Sequence, residues 1–217
     1  MTTEVKICGL KTADTLATAL DAGADYVGLV FFPPSPRHLA DFALARDLAD
    51  QARGRAKIVA LTVDADDALI DRIAADLRPD ILQLHGSETV ERTRNIHALT
   101  GIQVMKVIKV RDASDADAAQ AYATPEGPCP MVLFDAKAPP DAVLPGGNGL
   151  AFDWRHLEAV PEAIPYMLSG GLNPENVADA IRLTHTRAVD VSSGVERAPG
   201  EKNPGRIRAF IAAAKAI

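Results

Sequence analysis

The sequence predicts an α/β fold: one (β/α)8 TIM barrel, a single domain spanning residues 1–217. Three observations predict it. Short apolar runs alternate with amphipathic helical patterns from end to end, there are eight such runs, and several keep their polar residues in one phase of a strand's period-2 alternation. Strict alternation with short connections implies a parallel sheet covered by helices. Eight units favour a closed barrel over an open, doubly wound sheet. An open sheet covered by helices needs both faces apolar, whereas a barrel has an interior whose C-terminal mouth tolerates polar groups.

The first run, VKICG, places Lys6 and Cys8 on one face and Val5 and Ile7 on the other. The helical pattern TADTLATALDAG follows and ends at Gly23, a suitable C-cap. Next come the runs YVGLVFF and KIVALTV, separated by the helical LADFALARDLADQA. Asp64 is the expected N-cap of ADDALIDRIAADL and Ser87 that of SETVERTRNIHAL, with the run ILQLHG between them and Gly101 closing the second helix. In ILQLHG, Gln83 and His85 oppose Leu82 and Leu84. QVMKVIKV and MVLFDA are the fifth and sixth runs, and YMLSGG the seventh. Asn173-Pro174 is expected to open the helix NPENVADAIRL. The eighth run, AVDVSSG, again sets its polar residues, Asp190 and Ser192, against valines. The longest irregular stretch, KAPPDAVLPGGNGLAFDW, follows the sixth run and reads as a structured functional flap.

A formal charge of -6 without any Lys/Arg cluster gives no footprint for nucleic acid or an anionic membrane, while leaving a small anionic ligand open. The N-terminus lacks a signal-peptide pattern and no run approaches a membrane span, so a cytoplasmic protein is expected. Both cysteines, Cys8 and Cys129, are expected as free thiols. The five histidines are dispersed, and neither CxxC, HExxH, GxGxxG nor a Walker sequence occurs, so no metal and no nucleotide cofactor is expected.

Eight-stranded barrels build their sites at the C-terminal ends of strands and commonly bind phosphate after strands seven and eight. Here those loops supply Gly170, Gly171, Ser192, Ser193 and Gly194, a set of amides and hydroxyls suited to a phosphate ester. Paired glycines also make plain tight turns. Cys8 ends the first strand as a candidate base, nucleophile or structural thiol. Asp135 ends the sixth, where its carboxyl is either a proton donor or a loop cap. His85 orients a substrate or is a satisfied core histidine. Arg37, in a loop stiffened by three prolines, suits a planar carboxylate unless it is a solvated surface arginine. A regular strand sets Lys6 about 6–7 Å from Cys8, so the ammonium either favours the thiolate or pairs with an interior carboxylate such as Asp190.

In order along the chain, KICGL, FFPPSPRHL, LQLHGSE, FDA, GGNGLAFDW, LSGGLNPENV and VDVSSGVE resemble the phosphoribosylanthranilate isomerase family of tryptophan biosynthesis. The resemblance implies a barrel without cofactor or metal. It also implies an Amadori rearrangement of N-(5-phosphoribosyl)anthranilate to 1-(o-carboxyphenylamino)-1-deoxyribulose 5-phosphate. The family's general base falls on Cys8, its general acid on Asp135 and its anthranilate-binding arginine on Arg37. His85, Gly170, Gly171, Asp190, Ser192, Ser193 and Gly194 are the other substrate-binding positions. The partner is thus a phosphorylated small molecule, with a monomer preferred over a homodimer. Asn148 stands where threonine is expected, and FDAKAPP carries a proline-rich insertion. The alternatives are a related sugar-phosphate isomerase, disfavoured because those use an aspartate at the end of strand one, and an inactive metabolite-binding barrel, disfavoured by the presence of both Cys8 and Asp135.

Overall fold

In the computed structural model, residues 2–217 are described except 124–128, 137–145, 148, 150–151, 159 and 162. Eight parallel strands close into a barrel: β1 (Glu4–Cys8), β2 (Tyr26–Phe31), β3 (Lys57–Thr62), β4 (Ile81–Leu84), β5 (Gln103–Val110), β6 (Val132–Ala136), β7 (Tyr166–Leu168) and β8 (Ala188–Val191). Each of the eight apolar runs contains one strand. Closure is made by β1 against β8, in a register that sets Lys6 beside Asp190.

Helices α1 (Ala13–Asp21), α2 (Phe42–Ala52), α3 (Asp67–Leu77) and α4 (Val90–Thr100) cover the first half of the barrel. Two short helices, α5 (Ala113–Ala116) and α6 (Ala119–Tyr122), lie after β5, and a 3-10 turn at Trp154–Leu157 precedes β7. Helix α7 (Val177–Thr184) follows β7, and α8 (Pro204–Lys215) ends the fold. Between β8 and α8 come a 3-10 turn (Ser193–Val195) and a small antiparallel hairpin, β9 (Glu196–Ala198) and β10 (Glu201–Lys202). No described helix is long and apolar enough to cross a membrane.

Alternation along the strands sorts the core into two regions. Val5, Ile7, Leu29, Leu82, Phe134 and Val189 face outward into the layer beneath the helices. Tyr26, Val59, Ile81, Met105, Leu133 and Met167 face inward and plug the lower barrel. Above this plug the inward residues turn polar, with Lys6, Gln83 and Asp190 buried there.

Three helix starts differ from the sequence reading. Asp66, not Asp64, caps α3, accepting from Leu69 N at 2.9 Å. Asp64 instead adopts φ 47° and accepts from Ser87 N at 2.7 Å, which joins the loops after β3 and β4 and leaves Thr89, not Ser87, to cap α4. Asn173-Pro174 makes a turn before α7: Asn173 Oδ1 accepts from Glu175 N and Asn176 N, while Asn176 Nδ2 donates to the Gly171 carbonyl at 3.0 Å. In each case a run of neighbouring Asp, Ser, Thr or Asn offers several caps, and the loop-to-loop bond decides among them.

Outside the barrel wall, Lys106 Nζ donates to Glu88 Oε2 at 2.6 Å and to the Gly86 carbonyl at 2.7 Å, with both side chains buried. Glu88 Oε1 also accepts from Asp64 N at 2.8 Å. Lys106→Met strands a buried carboxylate, so it should cost about 3–5 kcal/mol in urea unfolding. Combining it with Glu88→Gln should recover part of that loss, because the amide oxygen still accepts the backbone N–H. A single-variant loss below about 1 kcal/mol would show that the pair is dispensable to the fold.

Candidate active site

The strand ends converge on one cavity at the C-terminal mouth, with an empty volume of about 780 Å³ that includes open solvent. Cys8, Arg37, His85, Asp135, Gly170, Gly171, Asp190, Ser192 and Ser193 all line it. Of the residues expected from sequence, Gly194 alone is outside this lining. It packs so closely against the Leu172 carbonyl that any Cβ would overlap it, which holds the end of β8 against the loop after β7.

Cys8 ends β1 with 4% exposure, among Val30 and Leu61. Below it Lys6, fully buried, donates to Asp190 Oδ1 at 2.8 Å. Asp190 Oδ2 accepts from Ser169 Oγ at 3.1 Å, tying the pair to the residue before Gly170. Burial opposes the Lys6 ammonium, but Asp190 and Cys8 outweigh it and hold its pKa above the usual lysine value. For Cys8 the balance runs the other way. Burial pushes the thiol up, Asp190 adds to that, and the opposing pull of Lys6 and Lys202 does not cancel it. The expected influence of Lys6 is therefore present in direction, yet the resting thiol lies above its ordinary value because burial outweighs the lysine's pull, with Asp190 adding to burial. Cys129, in contrast, is wholly buried away from the cavity, and burial raises its thiol to about 11. Both cysteines are free.

Asp135 sits across the mouth at the end of β6, with Oδ1 accepting from the N–H of Ala136 at 2.9 Å. His85 Nε2 lies 3.2 Å from Asp135 Oδ2, close but not aligned as a hydrogen bond. Gly146 packs over both: a Cβ there would lie 2.5 Å from Asp135 Oδ2 and from His85 Nε2. Most of the expected flap, including Asn148 and the proline-rich insertion, lies outside the described residues.

Arg37 is buried rather than solvated. Its Nε and Nη2 make a bidentate pair with Glu196 at 2.8 and 2.9 Å, and Nη2 also donates to the Gly147 carbonyl at 3.2 Å. Nη1 has no partner among the described residues. After β7, Gly170 and Gly171 adopt φ 86° and 67°, a conformation glycine reaches without strain, and Ser193 lines the same cavity. Ser192 Oγ donates to the Cys8 carbonyl at 3.1 Å. Two residues behind the lining escaped the sequence reading: Glu196 ends the VDVSSGVE stretch, but nothing local pairs it with Arg37, and Lys202 lies in a short polar segment without strand periodicity. Among the described residues, no group of three His, Cys, Asp or Glu side chains is arranged to hold a metal ion.

The family model for N-(5'phosphoribosyl)anthranilate (PRA) isomerase matches residues 5–213. The chain belongs to that family. It is 57% identical over 98% of its length to the N-(5'-phosphoribosyl)anthranilate isomerase of Bradyrhizobium diazoefficiens, covering 93% of that protein. Among solved structures it matches monomers of the dimeric phosphoribosylanthranilate isomerase from Thermotoga maritima with a TM-score of 0.83 and 34% identity, over 99% of this chain and 100% of that one. A phosphoribosylanthranilate isomerase solved with reduced 1-(o-carboxyphenylamino)-1-deoxyribulose 5-phosphate matches with a TM-score of 0.84 and 33% identity, over the same shares of each chain.

Gly146→Ala should leave the barrel folded, since the glycine touches side chains and no strand. The methyl must displace Asp135 and His85, and a misplacement of about 1 Å is worth about 10²-fold in rate. Steady-state kinetics should show this as a fall in kcat, with an unchanged urea midpoint; kcat at the parent value would mean that this approach has no bearing on the site.

Proposed function

We propose that this barrel converts N-(5'-phosphoribosyl)anthranilate into 1-(o-carboxyphenylamino)-1-deoxyribulose 5-phosphate, a step of L-tryptophan biosynthesis, with Cys8 as general base and Asp135 as general acid. The observation that carries the reading is that Cys8 and Asp135, from strands β1 and β6, face one cavity. That cavity is also lined by the Arg37 guanidinium and by the glycines and serines after β7 and β8.

The reaction is an internal isomerisation: the ring C–O bond opens, and the remaining steps are proton transfers. Asp135 gives a proton to the furanose ring oxygen, the C1'–O bond breaks, and the anthranilate nitrogen pushes its pair into C1' to make a Schiff base. Cys8 then takes the proton from C2', and its electrons form the C1'–C2' double bond of an enolamine. Loss of the C2' hydroxyl proton and protonation at C1' give the aminoketose. Arg37 Nη1 is available to the anthranilate carboxylate, and Gly170, Gly171, Ser192 and Ser193 surround the phosphate, with Gly194 holding their two loops together. Holding both ends stretches the sugar between acid and base. His85 beside Asp135 orients the acid. Asp190 acts beneath the sugar through Lys6.

All residues invoked belong to one chain and to one domain, 1–217, so this reading takes the monomer as the working unit and the cytoplasm as its location. Size-exclusion chromatography with light scattering tests the first point; a dimer at every concentration would overturn it.

Cys8→Ala and Asp135→Asn should each lower kcat by about 10²–10⁴-fold while preserving affinity for a reduced product analogue, because proton transfer acts on the transition state. Substrate generated in situ can be followed by the fluorescence of its anthranilate group. A variant within threefold of the parent kcat would remove that residue from its role. Arg37→Ala should chiefly raise KM, as it deletes a charge-assisted contact to a group that does not react. If kcat fell with KM unchanged, the arginine would belong to the chemistry.

A further inference from the structure

The hairpin after β8 brings a second buried lysine to the base. Lys202 is 7% exposed, and its ammonium has three partners. It donates to the Ser192 carbonyl at 3.0 Å, to Ser192 Oγ at 3.2 Å and to Glu196 Oε1 at 2.7 Å. Each partner leads to a different part of the site. Ser192 Oγ passes its own proton to the Cys8 carbonyl, and Glu196 holds both arms of the Arg37 fork. Glu196 Oε2 is fixed further by Gly200 N at 3.1 Å, so the carboxylate cannot swing away. A buried ammonium is costly, and three well-placed acceptors are what such a group needs.

The charges on this wall do not cancel. Lys6 and Asp190 form one pair beneath Cys8, and Arg37, Glu196 and Lys202 form a triad beside it. Within these five side chains three cations face two carboxylates, one positive charge in excess on the Cys8 side, with the Asp135 carboxyl on the far strand β6. His85 and Asp135 line the same cavity as Cys8, while β2 and β3 present it the uncharged Gly28, Val30 and Leu61. We infer that Lys202 is a positioning residue for the reaction: it supplies the excess positive charge that makes the Cys8 thiolate accessible, and through Glu196 it aims Arg37 at the substrate carboxylate. The inference rests on the roles of Cys8 and Arg37 given above.

Burial lowers the Lys202 pKa, with Glu196 opposing it. Arg37 and Lys202 in turn hold Glu196 below the usual carboxylate value against burial. The triad is thus maintained as an ionised unit, and its net charge is changed in opposite senses by two substitutions. Lys202→Met keeps the buried stem and removes the excess charge. Glu196→Gln keeps the shape and raises the excess.

The test is the pH dependence of alkylation at Cys8 by iodoacetamide, followed by peptide mass analysis of the intact chain without substrate. Lys202→Met should raise the apparent pKa by about one unit, slowing alkylation about tenfold at a given pH below it. Glu196→Gln should lower the apparent pKa and speed alkylation. Loosened packing would move both variants the same way, so parallel shifts, or none, would overturn the inference. If Lys202→Met does not fold, the downward shift in Glu196→Gln alone still decides. Turnover separates this inference from the assignment of the base. Opposed alkylation shifts with an unaltered kcat in Lys202→Met would uphold the electrostatic link and remove Cys8 from the chemistry.

Discussion

A lysine from the first strand meets an aspartate from the last inside this barrel, and the rest of the structure depends on that meeting. The 2.8 Å contact between Lys6 and Asp190 spans the closing seam, where β1 and β8 pair in register. A buried ion pair of this kind is weak evidence for stability, since desolvation offsets much of the attraction. Its value lies in specifying register: a slip of one residue along the seam would turn Lys6 into the outer apolar layer and leave Asp190 alone inside. With the register fixed, Cys8 faces the mouth, Ser169 is held beside Gly170 and Gly171, and Ser192 reaches the Cys8 carbonyl.

The same pair sets a problem for the chemistry. Burial outweighs the pull of Lys6 at the thiol, with Asp190 adding to it, so Cys8 rests above its ordinary pKa, which a base working as a thiolate would have to overcome. One isolated lysine beneath a cysteine would suit catalysis better but would itself be an uncompensated buried charge. The fold separates the two tasks. Lys6 and Asp190 satisfy each other, and the wall built from Arg37, Glu196 and Lys202 carries the remaining positive charge. That charge also faces a substrate that brings a carboxylate and a phosphate, so one arrangement of side chains serves proton transfer and anion binding together.

The barrel was legible because periodicity reports burial directly. Each strand needed only a few alternating residues, and polar residues in the inward phase of VKICG, ILQLHG and AVDVSSG marked the mouth. Cys8, Asp135, Arg37 and the two small-residue loops followed from their places at strand ends. What escaped was set by contacts remote in sequence. The pairing of Arg37 with Glu196 joins positions 159 residues apart, and no local pattern announces it. Helix starts were displaced by two or three residues for a related reason. Asp64 and Ser87 are good caps in isolation, but each is drawn into a bond with a neighbouring loop. Of the two readings open for Lys6, the structure shows the pairing with Asp190; the pull on Cys8 has the expected sign but is outweighed by burial of the thiol, which spacing along one strand does not report.

The hairpin at the C-terminal end of the barrel has a consequence for biosynthesis on the ribosome. Lys6 and Cys8 emerge first, yet their partners Asp190 and Ser192 lie 184 residues later, and Lys202 later still. Domains that rely on such distant pairings gain their stabilising contacts only after most of the loop-closure entropy has been spent. A nascent chain that has reached β7 holds a buried-to-be lysine without its counterion and a cysteine without its electrostatic wall. Closure of the sheet and assembly of the cavity wall around Cys8 are therefore one event, completed only when the last strand and the hairpin behind it have been made.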